Sequence, residues 1–205
     1  NENTIYAACI GTDGKHAGIY VSTNKGANWS LILPSSNAYN VYGGFGRYNH
    51  GLVVDPSNDG ILYVLGYNLW KLQRPASGTG YYLTEQLTAN TYFYMPDYLH
   101  VGLHTMAFNP KNANECYVGT DGGIYKGVLN GSSFTFSNCN RNYMTTRMYN
   151  VALSGIDKRI MASGLDHGTV IIDGSNSMNT ECYGTWINPT GYVMGAFDET
   201  AQTSF

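Results

Sequence analysis

Gly11-Thr12-Asp13-Gly14 followed by Gly18-Ile19-Tyr20, and Gly119-Thr120-Asp121-Gly122-Gly123-Ile124-Tyr125, are two copies of one phrase in a chain of 205 residues. The first copy carries three extra residues, Lys15, His16 and Ala17. Beyond them the register returns, so that Gly26 matches Gly131 and Trp29 matches Phe134. An internal repeat at this spacing predicts an array of small sheet units.

The copies extend outward. Leu52-Val53-Val54-Asp55-Pro56 matches Met106-Ala107-Phe108-Asn109-Pro110, and Val151-Ala152-Leu153-Ser154 reads as a third copy. Asp55 and Asn109 are 54 residues apart, Asn109 and Ser154 are 45 apart, and the two Gly-Thr-Asp-Gly phrases are 108 apart. A unit of roughly 45–55 residues holding four short strands is the size of a propeller blade. Each unit opens on an apolar strand, turns at Asp-Pro-Ser-Asn-Asp-Gly (55–60) or Asn-Pro-Lys-Asn-Ala-Asn (109–114), and re-enters as a second strand. Pro presets its own φ there, while Asn, Asp and Gly tolerate left-handed conformations. No segment sustains a 3.6-residue apolar period. The fold class is therefore all-β: blades of four-stranded antiparallel sheets, with approximate units 1–48, 49–102, 103–148 and 149–205.

Four such units do not reach the larger closed rings, and open blades expose apolar sheet faces. The chain is read as a portion of a larger propeller, or as one chain of an assembly that completes it. Asn1 in place of an initiator Met fits a processed or excised segment.

Only 12% of residues are charged, against roughly 25% in an average protein. Polarity comes instead from Asn, Ser, Thr, 25 Gly and 18 Tyr. A net charge of −3 argues against nucleic acid, whose phosphates need a basic stripe. No apolar run is long enough for a membrane span, and no signal-like leader opens the sequence. The cysteines (Cys9, Cys116, Cys139, Cys182) lack zinc spacing. They read as buried free thiols, with a Cys139–Cys182 disulfide as the alternative in a secreted protein. Cys9 and Cys116 are offset by one position relative to the Gly-Thr-Asp-Gly phrases, which predicts that they face opposite sides of their sheets. No cofactor is expected.

Ser22-Thr23-Asn24-Lys25-Gly26-Ala27-Asn28-Trp29 fits Ser-x-Asp-x-Gly-x-x-Trp, with Asn in the Asp position. The short side chain caps turn N–H groups, Gly supplies positive φ, and Trp is expected to pack between neighbouring sheets. Ser22, Asn24, Gly26 and Trp29 thus resemble the Asp-box, or bacterial neuraminidase repeat, of sialidases, sortilin-like receptors and family 74 xyloglucanases. Residues 127–134 form a degenerate second copy. The stretches from His100 to Pro110 and from Tyr117 to Tyr125, with Met161 to Thr169, resemble a signature of large secreted Bacteroidetes propellers. That resemblance implies a secreted or cell-surface protein, in many cases exported by type IX secretion, and it reports fold rather than chemistry.

His50, His104 and Tyr149 each stand five residues before their unit's Asp55, Asn109 or Ser154. In a propeller they would ring the central channel. His100 and Asp97 lie close to His104 in sequence, so an imidazole–carboxylate metal site is one reading of His100 and His104. The resembling proteins often carry Asp where this chain has Gly102, so a ligand is missing; hydrogen bonding and direct ligand contact are the other readings. Asp166 and His167 would make an acid–base pair on a Gly-flanked loop, or Asp166 would cap its turn, as is expected of Asp13 and Asp121. A sialidase arginine clamp is not assembled by Arg47, Arg74, Arg141, Arg147 and Arg159. Gly43-Gly44-Phe45-Gly46 resembles the entry loop of family 74 enzymes, whose paired acids would be sought among Asp13, Asp97, Asp121 and Asp166. Tyr81-Tyr82 and the stretch holding Tyr92, Tyr94 and Tyr98 offer rings for stacking on sugars or for packing between blades.

The expectation that follows is a secreted or surface propeller module, non-catalytic in this segment, that binds glycan or an extracellular protein partner. Its further partners are remaining propeller blades or neighbouring subunits. A xyloglucanase-like glycoside hydrolase and a structural component of a filament or adhesin are the rival readings.

Overall fold

A computed structural model describes residues 3–35, 40–78, 80–88, 95–141, 148–153, 160–164, 168–172 and 178–179. Two compact units result, Asn1–Asn142 and Tyr143–Phe205. Every regular element among the described residues is a strand. No helix among them is long and apolar enough to cross a membrane.

The first unit holds three antiparallel sheets, each a meander in chain order. The first sheet contains β1 (Ile5–Ile10), β2 (His16–Ser22) and β3 (Ser30–Pro34). The second contains β4 (Gly51–Asp55), β5 (Asn58–Leu65), β6 (Leu69–Gln73) and β7 (Leu83–Gln86). The third contains β8 (Leu103–Asn109), β9 (Asn112–Thr120), β10 (Gly123–Asn130) and β11 (Ser133–Asn138). The second unit is one sheet of the same order, β12 (Met148–Leu153), β13 (Ile160–Gly164), β14 (Gly168–Ile172) and β15 (Met178–Asn179). These are the sheets of propeller blades, and the fold is all-β.

Sheets of the first unit pack face to face in chain order. Leu62, Val64 and Leu72 of the second sheet meet Ile19, Ile32 and Leu33 of the first. The opposite face of the second sheet sends Tyr63, Leu65 and Leu69 against Met106, Cys116, Val118 and Phe134 of the third. A strand covered on both faces reads as a continuous apolar run rather than an alternation, and Leu62-Tyr63-Val64-Leu65 is that run.

Each interface is latched by a tyrosine. Tyr6 of β1 meets the ring of Tyr82 edge-on at 6.5 Å, and Tyr63 of β5 meets Phe134 edge-on at 5.6 Å. Arg74 donates from Nε to the Tyr82 hydroxyl (2.9 Å) and from a terminal nitrogen to the Tyr6 hydroxyl (3.0 Å). Tyr6 donates in turn to the Asp59 carbonyl at 2.6 Å. Burial, then the Tyr82 hydrogen bond, pushes the Tyr6 hydroxyl up to about 12. Tyr63 donates to Asp55 Oδ2 at 3.1 Å. Asp55 Oδ1 accepts the Ser57 and Asn58 amides at 2.8 and 3.2 Å, and Asn109 Oδ1 accepts Lys111 N at 2.9 Å. The Asp-Pro and Asn-Pro turns are therefore Asx turns.

In the turn between β2 and β3, Ser22 Oγ accepts the Gly26 amide at 2.8 Å and Asn24 Oδ1 accepts the Asn28 amide at 2.8 Å. Lys25 and Gly26 both adopt positive φ, at 58° and 91°. Trp29, expected between sheets, is 44% exposed. It immediately precedes β3 and belongs to neither buried cluster of the first unit.

The three-residue insertion does not act as the aligned sequences predict. Ile19 and Ile124 are the same repeat residue, yet Ile19 pairs with Ala8 and Ile124 with Gly119. The insertion lengthens the β1–β2 hairpin and slides β1 by three residues against the Gly-Thr-Asp-Gly alignment. Cys9 and Cys116 therefore occupy equivalent faces of their sheets, not opposite ones. Their burial still differs, because within the first unit only the third sheet has that face covered: Cys116 is buried, and Cys9 and Cys139 are exposed free thiols. Cys182 lies outside the described residues.

Burial pushes the Cys116 thiol up to about 12, so at pH 8 alkylation under native conditions is expected to modify Cys9 and Cys139 and spare Cys116. Peptide mapping after labelling checks this. Phe134→Ala removes a buried ring and is expected to cost about 3–5 kcal/mol in denaturant unfolding, whereas Trp29→Ala in the same 205-residue chain costs under about 1 kcal/mol.

Candidate functional site

Hairpin turns and inter-sheet connections of the first unit meet at one end of the sheets. There the backbone forms a relay of hydrogen bonds from loop to loop. Gly46 N donates to Gly14 O (2.9 Å), Leu103 N to Gly66 O (2.9 Å), Gly102 N to Tyr67 O (3.2 Å) and Asp121 N to Gly102 O (3.0 Å). Asn140 completes it, donating from Nδ2 to Gly122 O and accepting Ile124 N at Oδ1, both at 2.8 Å. Arg47 donates to the Thr12 carbonyl.

Asp121 is the polar centre of this loop face. Its Oδ1 accepts the Tyr48 hydroxyl at 2.8 Å and His104 Nε2 at 2.8 Å. A carboxylate only accepts, so Nε2 carries the proton, which leaves Nδ1 as an acceptor in the neutral ring. Tyr48 also meets the His104 ring edge-on at 5.0 Å. His104 and Asp121 keep 38% and 31% of their side chains exposed, so both can still reach a ligand.

Gly102 makes this arrangement possible. Its φ is +74°, and a Cβ there would run into the Asp121 carboxylate. The Asp that the resembling proteins often carry at this position would be excluded by sterics as well as by backbone strain. Gly66, in the β5–β6 turn, meets backbone instead, and a Cβ there would strike the Val41 carbonyl.

The two Gly-Thr-Asp-Gly aspartates diverge here. Asp13 caps its own turn, accepting Lys15 N at 3.0 Å, as the sequence predicts. Asp121 does not: in its turn Thr120 Oγ1 accepts the Gly122 amide at 3.1 Å, and the freed carboxylate points to Tyr48 and His104. Thr120 takes over the cap because the second copy lacks the insertion and its hairpin closes tighter.

Beside Asp121 lies an aromatic surface. Phe45 and Tyr67 stack at 5.7 Å with their planes 24° apart. Phe45 is 43% and Tyr48 50% exposed. Tyr48 N donates to Phe45 O at 2.7 Å, so one turn presents both rings.

Other predicted site residues are placed as follows. His50 is exposed and meets Tyr42 edge-on at 4.9 Å. His100 lies beneath Gly122 with Nδ1 3.0 Å from the Val101 carbonyl. No group of three or more His, Cys, Asp or Glu side chains placed to hold a metal ion occurs among the described residues. Asp97 is half-buried. Tyr98 packs against the core of the third sheet, edge-on to Tyr125 at 6.4 Å. Tyr149 lies in β12, its side chain outside the description; Tyr92, Tyr94, Asp166 and His167 lie outside the described residues altogether. Sequence reasoning missed Phe45, Tyr48 and Tyr67 as a group, because they come from two different connections of the first unit and share no spacing. The only available signal was the aromatic content of Gly43-Gly44-Phe45-Gly46-Arg47-Tyr48.

No family model matches the chain, and no curated protein matches it. Solved structures do. A Niastella koreensis GH74 enzyme is 19% identical over 87% of this chain and 28% of its own, at a TM-score of 0.45. A GH74 xyloglucanase from Xanthomonas campestris is 17% identical over 82% of this chain and 27% of its own, at 0.42. An ancestral GH74 enzyme is 14% identical over 86% of this chain and 25% of its own, at 0.37. The chain thus spans little more than a quarter of these proteins, and at such scores the propeller assignment rests on the sheets' own order and packing.

Gly102→Ala forces a side chain into a left-handed position, which costs about 1–2 kcal/mol, and displaces the Asp121 carboxylate. The expected outcome is a lowered Tm together with loss of the protected His104 Nε2–H resonance in NMR spectra. Asp121→Ala should lose the same resonance with a smaller change in Tm.

Proposed function

We propose that this chain is a glycan-binding β-propeller module that takes its ligand on the loop face around Asp121. The observation that carries the reading is the exposed Phe45–Tyr67 stack beside an Asp121 carboxylate held by Tyr48 and His104. Sugars present an apolar C–H face and a rim of hydroxyls. Exposed rings match the first, while a fixed carboxylate, an imidazole nitrogen and a phenol match the second. The low charge of the chain supports a neutral ligand over a nucleic acid or an acidic peptide. A secreted or surface location belongs to this reading, since polysaccharides of this kind are met outside the cell.

A hydrolase reading needs a second carboxylate, roughly 5–5.5 Å away for retention or 6.5–9.5 Å for inversion. Asp13 is engaged in its own turn, so Asp121 is a single acid in the cluster described above. This favours binding over cleavage within the first unit.

Affinity electrophoresis against a panel of soluble polysaccharides, xyloglucan and other β-glucans included, tests the proposal. Retardation by at least one glycan is expected, with Phe45→Ala weakening it about tenfold, or ~1.4 kcal/mol, while Trp29→Ala leaves it unchanged. Absence of retardation across the panel, or indifference to Phe45→Ala, overturns it. Release of reducing ends that disappears in Asp121→Asn would instead install the hydrolase.

A further inference from the structure

Lys15, His16 and Ala17, the residues that separate the first Gly-Thr-Asp-Gly copy from the second, all line one cleft of about 500 Å³. One wall is the β1–β2 hairpin, where Asp13 stands beside the insertion. The other is the chain leaving β3, at Ser35 and Asn40. The volume falls within the roughly 300–1,000 Å³ of small-molecule sites. The tighter β9–β10 hairpin of the third sheet has no residue corresponding to His16.

His16 is only 7% exposed, yet neither of its ring nitrogens has a hydrogen-bond partner. It pairs with Ile10, and directly paired residues share a face of the sheet. On that face Ile10 packs with Tyr42 and Ile19, and the Tyr42 ring lies 6.0 Å from the imidazole. The second sheet already covers this side, so a sheet on the opposite face would not reach the imidazole. Burial holds the His16 pKa below its ordinary value, against the pull of the nearby Leu33 and Pro34 carbonyls. The neutral ring has one N–H to donate and one lone pair that accepts.

Unpaired polar atoms are concentrated around this cleft. Asn40 Oδ1, on its other wall, is buried without a partner, as are Tyr42 Oη and Asn49 Oδ1 further along the same connection. Native proteins meet such buried groups with water or ligand, because leaving them unpaired costs stability. One water occupies about 30 Å³, a small part of the cleft. The missing partner is defined by chemistry: Asn40 Oδ1 only accepts, whereas His16 both donates and accepts. Adjacent hydroxyls supply the complement, since each can donate and accept. Asp13 and Lys15 stand exposed with opposite charges, and Asp13 Oδ1 already accepts Lys15 N, so the cleft has no net charge to select an ion. No aromatic ring lines it among the described residues, so its ligand is held by hydrogen bonds rather than by stacking.

We propose that the cleft between the β1–β2 hairpin and Asn40 binds a neutral polyol, a single sugar unit, whose adjacent hydroxyls pair with His16 and Asn40. The site shares no residue with the loop face around Asp121 and does not rest on that reading. Its existence depends on the inserted Lys15-His16-Ala17, which lengthens the hairpin and carries the imidazole into the cleft.

Imidazole proton–nitrogen NMR spectra test the proposal at neutral pH, with free pentoses and hexoses as probes and ethanol, which has a single hydroxyl, as the control. The His16 signals are those absent from His16→Leu. At least one sugar is expected to move them saturably with millimolar affinity, while ethanol leaves them in place. Calorimetric titration of the same sugar is expected to show binding weakened about tenfold by Asn40→Ala and abolished by His16→Leu. The latter replaces an unpaired buried imidazole with an apolar side chain, so its Tm is expected to stay level or rise. Phe45→Ala should leave this binding unchanged. If no sugar moves the His16 signals, or ethanol moves them equally, the proposal is overturned and the cleft holds water. Sugar binding that survives both His16→Leu and Asn40→Ala overturns it as well. Binding lost in Phe45→Ala overturns it in favour of the loop face around Asp121.

Discussion

A four-stranded sheet has two faces, and this chain is organised by the need to cover both. Where two sheets meet, a tyrosine from an inner strand of one lies edge-on against an aromatic ring of the next. The geometry suits the positive edge and negative face of aromatic rings, and a buried phenol must also find a hydrogen-bond partner. Tyr6 finds the Asp59 carbonyl and Arg74, and Tyr63 finds Asp55 Oδ2. The latch thus combines ring packing with hydroxyls whose loss would strand a buried polar group. Strand register delivers Tyr6 and Tyr63 to the same place in the first and second sheets.

Stacking sheets in this way brings their loops together at one end, and the consequences for function follow. Connections that are distant in sequence become neighbours and bond to one another through the backbone, from Gly46 and Gly14 to Asp121 and Gly102. Side chains standing on so tied a set of loops are held in place by the scaffold beneath. Tyr48 reaches Asp121 across 73 residues of sequence, and it can do so because the second and third sheets are packed against each other beneath the loops. Gly66 marks where the Val41 backbone, and Gly102 where the Asp121 carboxylate, comes too close for any side chain.

Repetition allows the chain's own positions to serve as controls for one another. Asp13 and Asp121 sit in the same phrase, but one caps its turn and the other is turned toward a histidine and a tyrosine. Cys9 and Cys116 sit on equivalent faces, but one is exposed and the other buried. In each pair the side chain is the same and the surroundings differ. Hairpin length separates the first pair, and the presence of a covering sheet separates the second.

By itself the sequence determined that the chain is an all-β array of repeated sheet units, because turn residues and apolar strands are local signals. The Asx turns at Asp55 and Asn109, the capped turn from Ser22 to Trp29 and the repeat period were all legible for that reason. The slide of β1 was not, since an inserted Lys15-His16-Ala17 reads equally as a longer loop or a longer hairpin until its pairing with β2 is known. Nor was the union of Tyr48, His104 and Asp121 with Phe45 and Tyr67, which no spacing predicts. Contacts between sheets depend on how whole sheets stack and which of their faces are covered, and only the packed tertiary structure decides that.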